Sequence, residues 1–100
     1  MVGYVMVPAR SNEPPFEFPG DDLDILAEME HERWMRDKIQ AGWKYAPRTN
    51  KDLKEHESLE PWADLSEEER DKDREMIRGI PKILAKAGYA IVKVGSDEGG

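Results

Sequence analysis

The chain has 100 residues and a formal charge of −7, is 38% apolar and 37% charged, and contains no cysteine. This length suits one domain over residues 1–100. The missing cysteine excludes disulfides and Cys-based metal sites. The acidic balance argues against nucleic-acid binding, because phosphates need a basic face. No apolar run exceeds four residues, whereas a membrane helix needs about 20. We therefore expect a soluble, cytoplasmic protein with no membrane partner.

Both ends of the chain predict short strands. Residues 2–7 (VGYVMV) and 89–94 (YAIVKV) are rich in β-branched and aromatic side chains. Because a lone strand is unstable, we expect these two to pair with each other. Residues 8–20 hold four prolines and predict an extended arm, which Phe16 and Phe18 should pin to the core. We place the domain core at residues 22–94 and expect a mobile tail over 95–100.

The first long helix is predicted to begin at Asp21 or Asp22, either of which can cap it, and to end at Ala41, before Gly42. On a helical wheel this helix has one apolar side, formed by Leu23, Ala27, Trp34, Met35, Ile39 and Ala41. Two polar residues, His31 and Lys38, lie inside that apolar sector and flank Trp34. Residues 43–65 predict a long, ordered loop with three large aromatic side chains.

The second helix is predicted to start with a capping box. In this motif the Ser66 side chain accepts from the Glu69 N–H, and the Glu69 side chain reaches back to the Ser66 N–H. Its inward stripe should be Asp73, Ile77, Ile80, Leu84 and Ala87. Pro81 removes a helical hydrogen bond, so we expect a kink, or two helices that meet near Gly79. The predicted fold class is therefore α+β, with two long antiparallel helical segments, a small sheet from the terminal strands and an ordered aromatic loop.

Three polar residues on the predicted inward faces are the first candidate site: His31, Lys38 and Asp73. A buried charge needs a partner, so we expect Asp73 to pair with Lys38 or with His31. One interpretation is a structural pair that sets the register of the helices. The alternative is that these residues line a ligand pocket beside Trp34 and Trp43.

Aromatic and basic residues form the second candidate site. Trp34 is typical of a core position, whereas Trp43 and Tyr45 lie in the loop, where they could stack on a planar ligand. Arg48 could receive an anionic group there, although a solvated loop also explains it. Arg74 lies within a run of charged residues, most of which we interpret as a solvated helix face.

Several chemistries are excluded by the motifs themselves. His31-Glu32 begins a zinc-protease pattern, but Met35 stands at the second ligand position. Two histidines are too few for a convincing zinc site. There is no Gly-rich phosphate loop and no nucleophilic-serine elbow. We therefore expect a protein that is not an enzyme and has neither a metal site nor a cofactor.

Two segments of the chain resemble the ryanodine-receptor repeat, or RyR domain. They are residues 26–34 (LAEMEHERW) and residues 38–45 (KIQAGWKY). Residues 54–65 and 80–89 are similar to later parts of the same pattern. Ala46 and Glu57 depart from it, because a glycine and a proline are usual there.

The resemblance implies a function as well as a fold. Receptor repeats occur in pairs, so one hypothesis is that this single copy forms a homodimer. Related pairs accept adenine-type ligands near the signature tryptophans, which correspond to Trp34 and Trp43. We therefore expect a non-catalytic sensor module for an adenine nucleotide or an NAD-derived ligand, with Lys38, Arg48 or Arg74 at its phosphates. The alternative is a protein-interaction module or a structural domain without a small-molecule ligand.

Overall fold

A computed structural model describes residues 2–10 and 14–95. These residues form an α+β fold with two long helices, as the sequence predicts. The elements in chain order are β1 (Val2–Pro8), α1 (Gly20–Gln40), β2 (Lys44–Tyr45), β3 (Glu55–His56), a 3₁₀ turn (Trp62–Asp64), α2 (Glu67–Lys86) and β4 (Tyr89–Gly95). No helix in this described part of the chain has the length and apolarity needed to cross a bilayer.

The chain divides into two compact units, and α2 contributes to both. The first comprises the described residues within Met1–Pro19 and Arg78–Gly100, and the second is Gly20–Ile77. The prediction of one domain over residues 1–100 stays a prediction.

The first unit contains the sheet that the terminal strands form. Strand β1 pairs antiparallel with β4, and Val5 lies opposite Val92, which confirms the predicted pairing. Gly95 belongs to β4, and the rest of the predicted mobile tail lies outside the described residues. Tyr4 on β1 makes edge-to-face ring contacts with Phe16 and Phe18, at centroid distances of 5.6 and 5.3 Å. The two phenylalanines thus fasten the arm to β1.

A glycine ends α1 by a specific hydrogen-bonded motif. Gly42 has a φ of 93°, its N–H donates to the Ile39 carbonyl at 3.0 Å, and the Trp43 N–H donates to the Lys38 carbonyl at 2.9 Å. These two bonds are those of a Schellman motif, which requires the left-handed conformation that glycine adopts readily. Gly42 therefore ends the helix and sets the position of Trp43.

Alanine substitutions at two glycines should have opposite effects on stability. A Cβ at Gly42 would meet Lys54 atoms at an ordinary 3.8 Å, so it would not clash. Gly42→Ala should still lower the unfolding free energy by about 1 kcal/mol, because alanine disfavours a positive φ. A Cβ at Gly79, inside α2, meets nothing within 4 Å, so Gly79→Ala should raise the unfolding free energy by about 0.5–1 kcal/mol. Urea denaturation measures both. Equal changes in the two variants would contradict this assignment of the Gly42 backbone.

Helix α2 begins as predicted, but its capping box is only half formed. The Glu69 N–H donates to Ser66 Oγ at 3.2 Å. The Glu69 carboxylate does not serve as the second half of the box, because it binds Ser58 and Lys72 instead. The helix continues through Pro81 to Lys86, so the alternative of two helices meeting near Gly79 is wrong. The kink at Pro81 stays a prediction.

The core of the second unit is small and comes from three separate segments. Its buried apolar residues are Leu23 and Ala27 from α1, Leu65 from the loop, and Ile77 from α2. The predicted apolar sides extend too far, since Ile39 is 61% exposed on α1 and Ile80 is 39% exposed on α2. The predicted loop contains a parallel pair of two-residue strands, β2 and β3, which the sequence analysis missed.

Candidate functional site

A groove of about 300 Å³ lies within the second unit. Helix α1 supplies one wall, α2 the other, and the segment around β3 the third side. The lining residues are Glu30, His31, Trp34, His56, Ser58, Leu65, Glu69, Lys72, Asp73 and Met76. We call this cavity the Trp34 groove.

His31 is held in one orientation by contacts on both ring nitrogens. It follows Leu23 and Ala27 at intervals of four along α1, so it shares their buried face and is 3% exposed. Its Nε2 lies 2.6 Å from the Glu60 carbonyl, and because a carbonyl only accepts, Nε2 carries the hydrogen. Its Nδ1 faces the Asp73 carboxylate at 3.6 Å. His31 therefore joins α1 to both the loop and α2.

The sequence left open whether Asp73 pairs with Lys38 or with His31, and in the structure it faces His31. Burial raises the pKa of Asp73, and the negative charges of Glu30 and Glu69 raise it further. The nearby His31 opposes this shift. A carboxyl group with this surrounding takes up a proton more readily than a solvent-exposed aspartate does.

Trp34 and His56 form the aromatic wall of the groove. The Trp34 ring stacks on His31 at 5.7 Å between centroids, and the His56 ring lies nearly perpendicular to it at 4.8 Å. Behind this wall, the Lys38 ammonium lies 4.4 Å from the Trp43 ring centroid and 6.0 Å from that of Trp34. Lys38 thus covers the Trp43 indole through a cation–π contact, and neither residue lines the groove.

His56 accepts a hydrogen bond, and its surroundings disfavour its protonation. The Ser58 N–H donates to His56 Nδ1 at 3.0 Å, so the neutral ring has its hydrogen on Nε2. Burial lowers the pKa of His56, and the charges of Lys38 and Lys72 lower it further, against the opposing effect of Glu57 and Glu69. His56 is therefore a neutral aromatic group at neutral pH.

The lowered pKa of His56 should make stability fall on acidification. Between the ordinary histidine pKa of 6.5 and its lower value in the folded chain, the unfolded chain takes up a proton that the folded chain resists. The unfolding free energy should then fall by at most about 1.4 kcal/mol for each pH unit of acidification. Urea denaturation between pH 7.5 and 5.5 measures this slope, and His56→Asn should flatten it. Parallel curves for the two proteins would contradict the prediction.

Ser58 and Glu69 connect the loop to α2 at the rim of the groove. The buried Ser58 Oγ donates to Glu69 Oε2 at 2.8 Å, and Lys72 donates to Glu69 Oε1 at 3.2 Å. The Ser58 hydrogen bond is the largest cause of a lowered Glu69 pKa. Sequence reasoning does not select His56, Ser58 or Glu69 as site residues. The family-like spacing of residues 54–65 is the signal that could have found the first two.

The other residues predicted for the site lie away from the groove. Arg74 donates to Asp24, Glu67 and Asp71 at 2.7–3.0 Å, so its guanidinium is already bound to carboxylates. Tyr45 is 48% exposed on β2, and the negative charge of Glu60 is the main cause of its raised pKa. Arg48 is exposed on the loop. Of the eight predicted residues, only His31, Trp34 and Asp73 line the Trp34 groove.

The groove contains carboxylates but no arrangement suited to a metal ion. Within residues 2–10 and 14–95, no group of three His, Asp or Glu side chains could hold one. Glu30 accepts hydrogen bonds from Arg33 Nε at 2.8 Å and from Arg33 Nη2 at 2.7 Å, and this contact lowers the Glu30 pKa. What the groove offers is an aromatic face next to several hydrogen-bond acceptors, an arrangement that can bind a planar group without chemical reaction.

The family comparison covers both the groove and the helices that build it. The model of the RyR domain matches residues 22–93. That range spans more than two thirds of the chain and includes every residue that lines the Trp34 groove. The chain therefore belongs to the RyR domain family.

Proposed function

We propose that this RyR domain is a non-catalytic binding module whose Trp34 groove receives the planar part of a small molecule. The observation that carries the proposal is the exposed side of the Trp34–His56 wall, which forms one boundary of a concave site rather than filling a core. Its volume of about 300 Å³ is at the small end of ligand pockets. A single aromatic ring or nucleobase is the largest group we expect it to hold.

An adenine nucleotide or an NAD-derived ligand, as the resemblance implies, would place only its base in the groove. The ring would stack on Trp34, while Trp43 is covered by Lys38. Phosphates would have to lie outside, near the exposed Arg48, because Arg74 and Lys72 are occupied by carboxylates. A cytoplasmic location and the absence of catalysis stay predictions of the sequence.

The experiment that tests this proposal follows the indole N–H signals of a ¹⁵N-labelled protein during titration. Adenosine, AMP and NAD⁺ serve as probes, and we expect the Trp34 signal to move more than that of Trp62. Stacking on one aromatic ring is worth about 1–3 kcal/mol, so Trp34→Leu should weaken binding about 5- to 150-fold. Trp43→Leu is the matched control and should leave the affinity unchanged.

Two outcomes would contradict the binding module. The first is that no planar probe, charged or neutral, moves the Trp34 signal at millimolar concentration. The second is that Trp43→Leu weakens binding as much as Trp34→Leu does. Circular dichroism of each variant establishes that its helices are intact before its affinity is compared.

A second candidate function is self-association, because one face of the terminal sheet is apolar and uncovered. The register places Val5, Val92 and Val94 on one face, together with Val7 and Ala90. The first three are 42%, 38% and 43% exposed, and none of the five carries a charge. Such a face can pack against the same face of a second copy without burying a charge. We therefore propose a second copy of this chain as its occupant. Sedimentation equilibrium of the protein and of Val92→Lys tests this: a monomeric wild-type protein at high concentration would exclude it.

A further inference from the structure

The charges that surround the Trp34 groove are unevenly distributed. Its lining contains the carboxylates of Glu30, Glu69 and Asp73, and Lys72 is the single lysine or arginine among the lining residues. Lys72 is bound to Glu69 at 3.2 Å, and Glu30 accepts two hydrogen bonds from Arg33, so these charges compensate one another. Among the described residues, Asp73 is the lining carboxylate that has neither a lysine nor an arginine as partner.

Asp73 has the largest unused capacity to accept hydrogen bonds. Its side chain is 21% exposed, and His31 Nδ1 lies 3.6 Å from it, which is beyond hydrogen-bond distance. Among the described residues, none donates a hydrogen bond to this carboxylate. A carboxylate has about four acceptor positions, so Asp73 can bind a ligand donor without losing a protein contact.

The aromatic wall favours the same sign of charge. The faces of indole rings attract cations, and the lowered pKa of His56 keeps that ring neutral at neutral pH. Lys38 lies 4.4 Å from the Trp43 centroid and 6.0 Å from that of Trp34, and it is not part of the groove lining. A planar cation could therefore lie on Trp34 with its N–H groups directed at Asp73.

We propose that the Trp34 groove selects a planar organic cation of the amidinium or guanidinium type and rejects an anion of the same shape. The inference rests on the proposed binding function and names the chemistry of the group that enters the groove. Amidinium and guanidinium groups pair with a carboxylate through two parallel N–H bonds. Their flat shape also matches the indole face of Trp34.

Benzamidine and benzoate test this inference, because the two molecules have nearly the same size and opposite charges. In indole N–H titrations at pH 7.5, benzamidine should move the Trp34 signal and bind at least 10-fold more tightly than benzoate. Asp73→Asn should reduce benzamidine binding at least 5-fold. Glu28→Gln removes the same charge from an exposed position of α1 outside the groove, and it should leave the affinity unchanged.

The outcomes separate the inference from the proposed function. Benzoate or AMP binding as tightly as benzamidine at Trp34 would overturn the charge preference and leave the binding module standing. If none of the planar probes moves the Trp34 signal, the binding module itself fails, and the charge preference fails with it. Equal losses in Asp73→Asn and Glu28→Gln would show a general charge effect and overturn the role of Asp73. The wild-type comparison of the two probes needs no variant and decides the charge preference even if Asp73→Asn does not fold.

Discussion

Replacing His31 by alanine should lower the free energy of unfolding by about 3 kcal/mol. The change removes the hydrogen bond to the Glu60 carbonyl, the stacking contact with Trp34 and the ring that faces Asp73. It also leaves a cavity at a side chain that is only 3% exposed. Three segments lose their common contact at once, so the loss should exceed that of a single buried hydrogen bond, about 1 kcal/mol. Urea denaturation followed by circular dichroism measures it.

The control for His31 is its neighbour in sequence. Glu32 is exposed, so Glu32→Ala should change the unfolding free energy by no more than about 0.5 kcal/mol. A loss below about 1 kcal/mol for His31→Ala would mean that the contacts of the histidine do not hold the second unit together. In that case the structural interpretation of the His31–Asp73 pair would be wrong.

Replacing Ile77 by alanine should cost about 2–4 kcal/mol of unfolding free energy. Ile77 is 6% exposed and is one of the four buried apolar residues of the second unit. A core this small has few other side chains that could move to fill the space left by the deletion. The loss is a large share of the 5–15 kcal/mol that is typical of a whole domain.

Helix α2 offers a control of the same residue type. Ile83 is 67% exposed, so Ile83→Ala deletes the same atoms without opening a cavity and should cost less than about 0.5 kcal/mol. Denaturation of both variants under one set of conditions gives the difference directly. Equal losses would contradict the placement of the core at Ile77.

The local structure of the helices follows from residues close in sequence. Ser66 caps α2 through a bond to the residue three positions later, and Gly42 ends α1 through bonds to the preceding turn. Such contacts depend on few neighbours, so their residue types predict them. The apolar sides were predicted less well, because Ile39 and Ile80 fit the periodicity but are 61% and 39% exposed. The strands β2 and β3 are two residues long and therefore have no periodicity to read.

The candidate site was predicted only in part, for a similar reason. His31, Trp34 and Asp73 lie on helix faces that the sequence pattern marks as inward, and they do line the groove. His56 and Ser58 reach it because β3 pairs with β2, an arrangement that no local pattern indicates. Arg74 carries the right charge for a phosphate, but it binds Asp24, which is 50 positions away in the sequence.

The sequence by itself determined the family, the two helices, the pairing of the terminal strands and the inward histidine. The family, the helices and the inward histidine depend on residue spacing, and the strand pairing follows because a lone strand is unstable. Only the tertiary structure decided which charges face the groove, because Glu30, Glu69 and Asp73 come from two different helices. Electrostatic preference depends on distances between such residues, which spacing along the chain does not contain. The sign of charge that we propose for a ligand of the Trp34 groove therefore rests on the tertiary structure alone.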